Sequence, residues 1–116
     1  MAKLVAEGKI GAIGLSEVPG AILRRAQVIH LIASVQFEYS IFSRKIEQDA
    51  LPVCRETGTS LVAYSPLGRG MLTGSFKRDS QISETDFRGS MQPRTRDKIL
   101  GLGTSLGANA AEITLA

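Results

Sequence analysis

One cysteine and one histidine are all that the 116 residues hold of the two side chains most used in metal sites and nucleophilic relays. A lone thiol, Cys54, allows no internal disulfide and no multi-cysteine zinc site, in agreement with a reducing compartment. The lone imidazole, His30, falls in a loop entering a predicted strand, at the end of the sheet opposite the polar strand ends, so no Ser/His/Asp or Cys/His set can be assembled. No apolar run approaches the roughly 20 residues needed to cross a bilayer. The opening MAKLVAEGKIGAIGL is too broken by charge and glycine to be the apolar core of a signal peptide. The expectation is a cytoplasmic protein with no membrane partner. No block of one charge exists either: the net charge is +3, with Arg and Lys scattered among acids. That excludes a nucleic-acid footprint and leaves a small positive bias that serves solubility or an anionic small molecule. Two glycine motifs also fall short. Gly68-Arg69-Gly70 lacks the Gly-Lys-Ser/Thr of a P-loop, and Gly101 to Gly107 misses the dinucleotide fingerprint by one residue and follows no strand.

What is present is ordinary globular material, 43% hydrophobic and 22% charged, in a length that suits one domain. Lys9–Leu15, Ile32–Phe37 and Ser60–Tyr64 are near-continuous apolar runs, the pattern of strands covered on both faces in a parallel sheet. Between the first two, Ile22, Leu23, Ala26 and Ile29 recur at helical spacing, with Arg24 and Arg25 opposite and Pro19 in the first turn. Between the second and third, Ile46 to Glu56 reads as another helix, with Pro52 near its start and Gly58 just past its end. Strand, helix and strand in repetition predict βα units and a parallel sheet. Residues 75–95 have no periodicity of their own and read as a mobile surface loop. The remainder, Arg96 to Ala116, is rich in Ala and Leu and reads as helix; Gly101, Gly103 and Gly107 each weaken it by about 1 kcal/mol relative to Ala, which leaves 108–116 as its firmest part.

Ligands of parallel α/β folds sit at the carboxyl ends of strands. There the three strands deliver Ser16 and Glu17, then Gln36 and Glu38, then Tyr64 and Ser65. The same side chains serve equally well as turn, capping and loop-satisfying groups. Tyr64 is the more pointed choice, since a flat ring at a strand end offers its face to a planar heterocycle. Ser65, Leu67, Gly68 and Gly70 can bring main-chain N–H groups close to a phosphate, and Arg69 adds a charged donor. Cys54, on a helix face, reads as a reduced packing residue.

The ordered series Gly8-Lys9-Ile10, Ile13-Gly14-Leu15-Ser16-Glu17, Leu23-Arg24-Arg25-Ala26, Val35 to Ser40, Cys54 to Gly58 and Val62 to Gly70 resembles the aldo-keto reductase family. It is most similar to the members described as pyridoxal-reductase-like or auxin-induced-protein-like. The likeness is close over residues 4–74 and looser at Asp86-Phe87-Arg88, Pro93-Arg94 and the last helix. It implies a partial (β/α)8 TIM barrel, with strands matching barrel strands five to seven, and a nicotinamide cofactor, NADP(H), with NAD(H) the alternative. By resemblance Ser16, Glu17 and Gln36 hold the nicotinamide carboxamide, Tyr64 stacks on the ring, and Ser65, Leu67, Gly68 and Arg69 hold the pyrophosphate. Glu17 departs from the commoner Asn. The resemblance further implies that the catalytic Asp, Tyr, Lys and His belong to earlier strands, so this chain carries no catalytic residue and no metal. The expected activity of the family is reduction of an aldehyde or ketone by hydride transfer. The other readings are a nucleotide-sensing or interaction module, as in potassium-channel β subunits, or a truncated remnant. Open sheet edges predict self-association or complementation by a companion chain.

Overall fold

The computed structural model describes residues 1–75, 85, 86, 88 and 93–115. They form two compact units, Met1–Glu38 with Ser43–Tyr64 and Tyr39–Phe42 with Ser65–Ala116, and each is taken by itself. The first opens with α1 (Ala2–Ala6) and continues through β1 (Gly14–Ser16), α2 (Gly20–Ile29), β2 (Ser34–Glu38), a 3-10 turn (Lys45–Gln48), α3 (Ala50–Thr57) and β3 (Ser60–Tyr64). The strands make one parallel sheet in the order β1-β2-β3. Leu15 pairs with Val35, and Val35 with Leu61. A helix joins each neighbouring pair, as parallel pairing demands.

Side-chain alternation divides the sheet into two unlike faces. On one, Val35 is fully buried and packs with Ile13, Leu23, Ile32, Val53 and Cys54, while Leu15, Phe37 and Leu61 flank this core. The other face is not covered, which corrects the expectation of strands buried on both sides. Ser16, Gln36 and Ser60 are exposed there, Val62 is 44% exposed and Tyr64 is half-buried. Serine and glutamine are costly to bury without hydrogen-bond partners, and here they meet solvent.

Three local expectations also change. The first strand was read over Lys9–Leu15, but Lys9 N–H and Ile10 N–H donate to Leu4 O at 2.9 and 3.4 Å. Their amides finish α1, and pairing starts only at Gly14. In α2 the stripe of Ile22, Leu23, Ala26 and Ile29 is not wholly buried. Leu23 is enclosed, whereas Ile22 and Ile29 are 40% and 80% exposed. The second helix is two pieces, because the chain turns at Asp49 between the 3-10 turn and α3. That break has a use: the Asp49 carboxylate accepts the first amide of α2, Gly20 N–H, at 2.9 Å. Pro19 thus flanks α2 where no side chain of its own could cap it. Gly58 closes α3 in the left-handed region, φ 70°, as its place in the sequence predicted.

At the amino-terminal end of the sheet Gln27 joins three segments. Its amide donates to Ile32 O and Thr59 Oγ1 at 3.2 and 2.6 Å and accepts Ile32 N–H at 3.1 Å. Cys54 lies in the core, and burial pushes its thiol up, toward the protonated form. Across the outer surface Arg24 of α2 grips Glu56 of α3 through both terminal guanidinium nitrogens. That fork holds the Glu56 carboxyl below its ordinary 4.5. A depressed carboxylate stabilises the fold above its unfolded value and loses that contribution as pH falls through the folded one. The stability difference between the native chain and Glu56→Gln, read from urea midpoints, should therefore be present at pH 7 and close as pH drops below 4.5. It should also shrink with added salt, since both side chains are about half exposed.

The second unit holds α4 (Pro93–Leu106) and α5 (Ala110–Leu115). Helix therefore forms across the glycine-bearing part of 96–116 as well as beyond residue 108. Buried Leu72, Ile99 and Ala110, flanked by Phe42 and Leu100, form a small core whose packing offsets the weak local propensity. The sequence breaks helix only at Gly107, whose φ is 66°. Beyond it Asn109 and Glu112 form a reciprocal capping box: Glu112 N–H donates to Asn109 Oδ1 at 3.0 Å, and Asn109 N–H to Glu112 Oε2 at 2.7 Å. Most of 75–95 lies outside the described residues. Among the described residues no helix is long and apolar enough to cross a membrane.

Candidate functional site

The carboxyl end of the sheet's uncovered face brings together the polar residues that the sequence singled out. Ser16 lies beside Gln36 in register, and Gln36 beside Val62. Two residues on, Tyr64 pairs with Glu38. Because alternate residues share a face, Ser16, Gln36, Glu38, Val62 and Tyr64 point to the same side. A hydroxyl, a primary amide and a phenol ring thus converge at one strand end, on a side that no helix of this unit fills. Ser16 and Gln36 together offer donors and acceptors that match a carboxamide, and the Tyr64 ring offers a flat partner to a heterocycle.

Glu17 follows in left-handed backbone, φ 53°. Its N–H donates to Gln36 O at 2.9 Å, and its carboxylate accepts Glu38 N–H at 2.8 Å. Beside it opens a groove of about 310 Å³, lined by Glu17, Phe37, Glu38, Lys45, Ile46 and Asp49 among others. Apart from Glu17 and Glu38, those residues carried no sequence signal for a site. Phe37 lies within β2 and reads as a strand residue, while Lys45, Ile46 and Asp49 belong to the 3-10 turn and its end, where the sequence signals only helix.

In the second unit the residues after β3 form a tight sequence of turns. Gly68 N–H donates to Ser65 O at 2.9 Å across Pro66 and Leu67, and Met71 N–H donates to Gly68 O at 3.1 Å across Arg69 and Gly70. Arg69 and Gly70 both have positive φ, 53° and 90°, the signature of a mirror-image turn. Met71 and Leu72, each 1% exposed, anchor the turns from below. Ser65, at φ 52°, also pays for a left-handed backbone. Gly68 has no alternative residue: besides φ 55°, a Cβ there would stand 2.8 Å from the Phe42 ring. Its own N–H is held inside the turn, and the space a side chain would take is filled by the Phe42 ring. Arg69 is exposed and Leu67 half-buried.

Glu17, Ser65 and Arg69 are the non-glycine residues with positive φ among those described, and all three follow the carboxyl ends of strands. Each such conformation costs on the order of 1–2 kcal/mol and persists where surrounding structure imposes it. His30 sits elsewhere, at the carboxyl end of α2, with its Nδ1 3.0 Å from Leu31 O. Asp86 is held by Arg88, whose guanidinium and N–H both donate to it and keep its carboxyl below the ordinary range. Among the described residues no group of His, Cys, Asp and Glu could hold a metal ion.

Comparison with known proteins bears on the whole chain. The sequence profile of the Aldo/keto reductase family matches residues 1–116. Among solved structures, a glycerol dehydrogenase from Gluconobacter oxydans is similar with a TM-score of 0.78 and 28% identity. The match covers 93% of this chain and 36% of that one.

Proposed function

The chain belongs to the aldo/keto reductase family, and on that footing we propose that it forms the nicotinamide- and pyrophosphate-holding part of an NADP(H)-dependent carbonyl reductase. The observation that carries the reading is the register of Ser16 with Gln36, and of Tyr64 one step along the same uncovered face. Ser16 and Gln36 hold the carboxamide, Tyr64 lies against the ring, and Ser65, Leu67, Gly68 and Arg69 border the diphosphate. When bound, the reduced nicotinamide supplies a hydride to the carbonyl carbon of an aldehyde or ketone. In this reading the residues named here bind and orient the cofactor, and the proton for the carbonyl oxygen comes from other residues. The strands β1 and β3 are the sheet's edges, and turnover in the cytoplasm depends on further strands beside them that complete the barrel and supply the proton relay. The 36% coverage of the dehydrogenase supports that division of labour.

Nicotinamide mononucleotide, half of the cofactor, tests the reading. Titrated into the 15N-labelled chain, it should bind saturably and shift the amide signals of Ser16, Gln36 and Tyr64. Adenosine 2′,5′-bisphosphate, the other half, should leave them in place. No shift with the first, or equal shifts with both, would refute the assignment.

A further inference from the structure

Glu17 stands where β1 must stop. Pro19, two residues on, has no N–H to give to a ladder. In a parallel ladder running on past Ser16, the N–H of Glu38 would meet the main-chain carbonyl of Glu17. The observed chain does otherwise. Glu17 turns left-handed at φ 53°, which swings that carbonyl away, while its N–H keeps the ladder bond to Gln36 O at 2.9 Å. Its carboxylate Oε1 then accepts Glu38 N–H at 2.8 Å. The side chain has taken the place of the carbonyl that the turn removed.

This substitution has a consequence for the residue between the two bonds. Gln36 and Glu38 flank Phe37, and both ends of that segment are tied to one residue of the neighbouring loop. The arrangement survives at the expense of an unfavourable backbone conformation, so the bonds it secures are what the surrounding structure holds in place. We propose that Glu17 is a positioning residue, whose carboxylate closes the β1–β2 ladder at its carboxyl end and keeps the Gln36 side chain in register beside Ser16. Its length is part of the function: aspartate, one methylene shorter, falls short of Glu38 N–H from the same backbone, and glutamine keeps an Oε1 acceptor at the same reach. What Gln36 is positioned for rests on the nucleotide reading above, whereas the clamp itself does not.

The test reads the clamp and its purpose separately. Amide hydrogen exchange at Glu38 should be roughly tenfold faster or more in Glu17→Ala, the loss of one charge-assisted hydrogen bond. It should return most of the way to the native rate in Glu17→Gln, whose neutral oxygen still accepts, and stay fast in Glu17→Asp. The affinity for nicotinamide mononucleotide should fall in Glu17→Ala and Glu17→Asp and recover in Glu17→Gln. Unchanged Glu38 exchange in Glu17→Ala overturns the clamp. Faster exchange with unchanged affinity overturns the positioning role and leaves only a structural bond. A native chain that binds no mononucleotide overturns the nucleotide reading, and Glu38 exchange still judges the clamp. Should Glu17→Ala fail to fold, the contrast between Glu17→Gln and Glu17→Asp carries the same test.

Discussion

Leu23→Ala should cost the sheet-bearing unit about 3 kcal/mol, within the range of 2–5 kcal/mol seen when a buried leucine is truncated. Leu23 is 0% exposed and sits where α2 meets the sheet, among Ile13, Ile32, Val35, Val53 and Cys54. The cost has two parts, the lost transfer of apolar surface from water and the cavity left behind. Three strands and two covering helices have little core to redistribute, and small domains carry only a few kcal/mol of net stability. Urea unfolding followed by circular dichroism should show a much lower midpoint for Leu23→Ala. Ile29→Ala is the control: the same helix, a side chain 80% exposed, and an expected change within about 0.5 kcal/mol. Equal midpoints for the two variants would show that α2 does not pack through Leu23.

Tyr64→Ala should weaken binding of nicotinamide mononucleotide by about tenfold or more. Removing an aromatic platform beneath a base costs roughly 1–3 kcal/mol, and the half-buried Tyr64 ring is the flat surface at this strand end. Tyr64→Phe separates the ring from the hydroxyl. If stacking is the contribution, phenylalanine retains nearly all of the affinity. A phenylalanine variant as weak as the alanine one would move the effect to the hydroxyl, and unchanged binding in both would remove Tyr64 from the site. The Leu23 core should keep its packing in both variants, because Tyr64 lies on the opposite face of the sheet.

The order of strands and helices was legible in the sequence because each element has a local cause. Leu23 with Arg24 and Arg25 outlines a helix, Gly58 ends one, and the run Ser60–Tyr64 gives β3 within the bounds observed. The family likeness rested on motifs in order, and the profile match over residues 1–116 agrees with it. The placing of Ser16, Gln36 and Tyr64 at strand ends was legible too, since a polar residue after an apolar run marks that point. What stayed hidden depends on partners far along the chain. Lys9 and Ile10 look like strand until Leu4 O claims their amides. Gln27 carries no signal of its own in the sequence, and its role comes from Ile32 and Thr59, which meet its amide. The helix from Pro93 looks weak until Leu72 and Ala110 pack on Ile99.

Composition and periodicity alone therefore determined the parallel βα character of this chain, and its single cysteine left no internal disulfide to form. Both follow from properties each residue carries with it: its polarity, its preferred backbone and its titratable group. Only the tertiary structure decided which face of the sheet is left open and that the carboxylate of Glu17 replaces a strand carbonyl. Those outcomes depend on register, and register arises when separate segments compete for the same hydrogen bonds, a competition that no single stretch of sequence records.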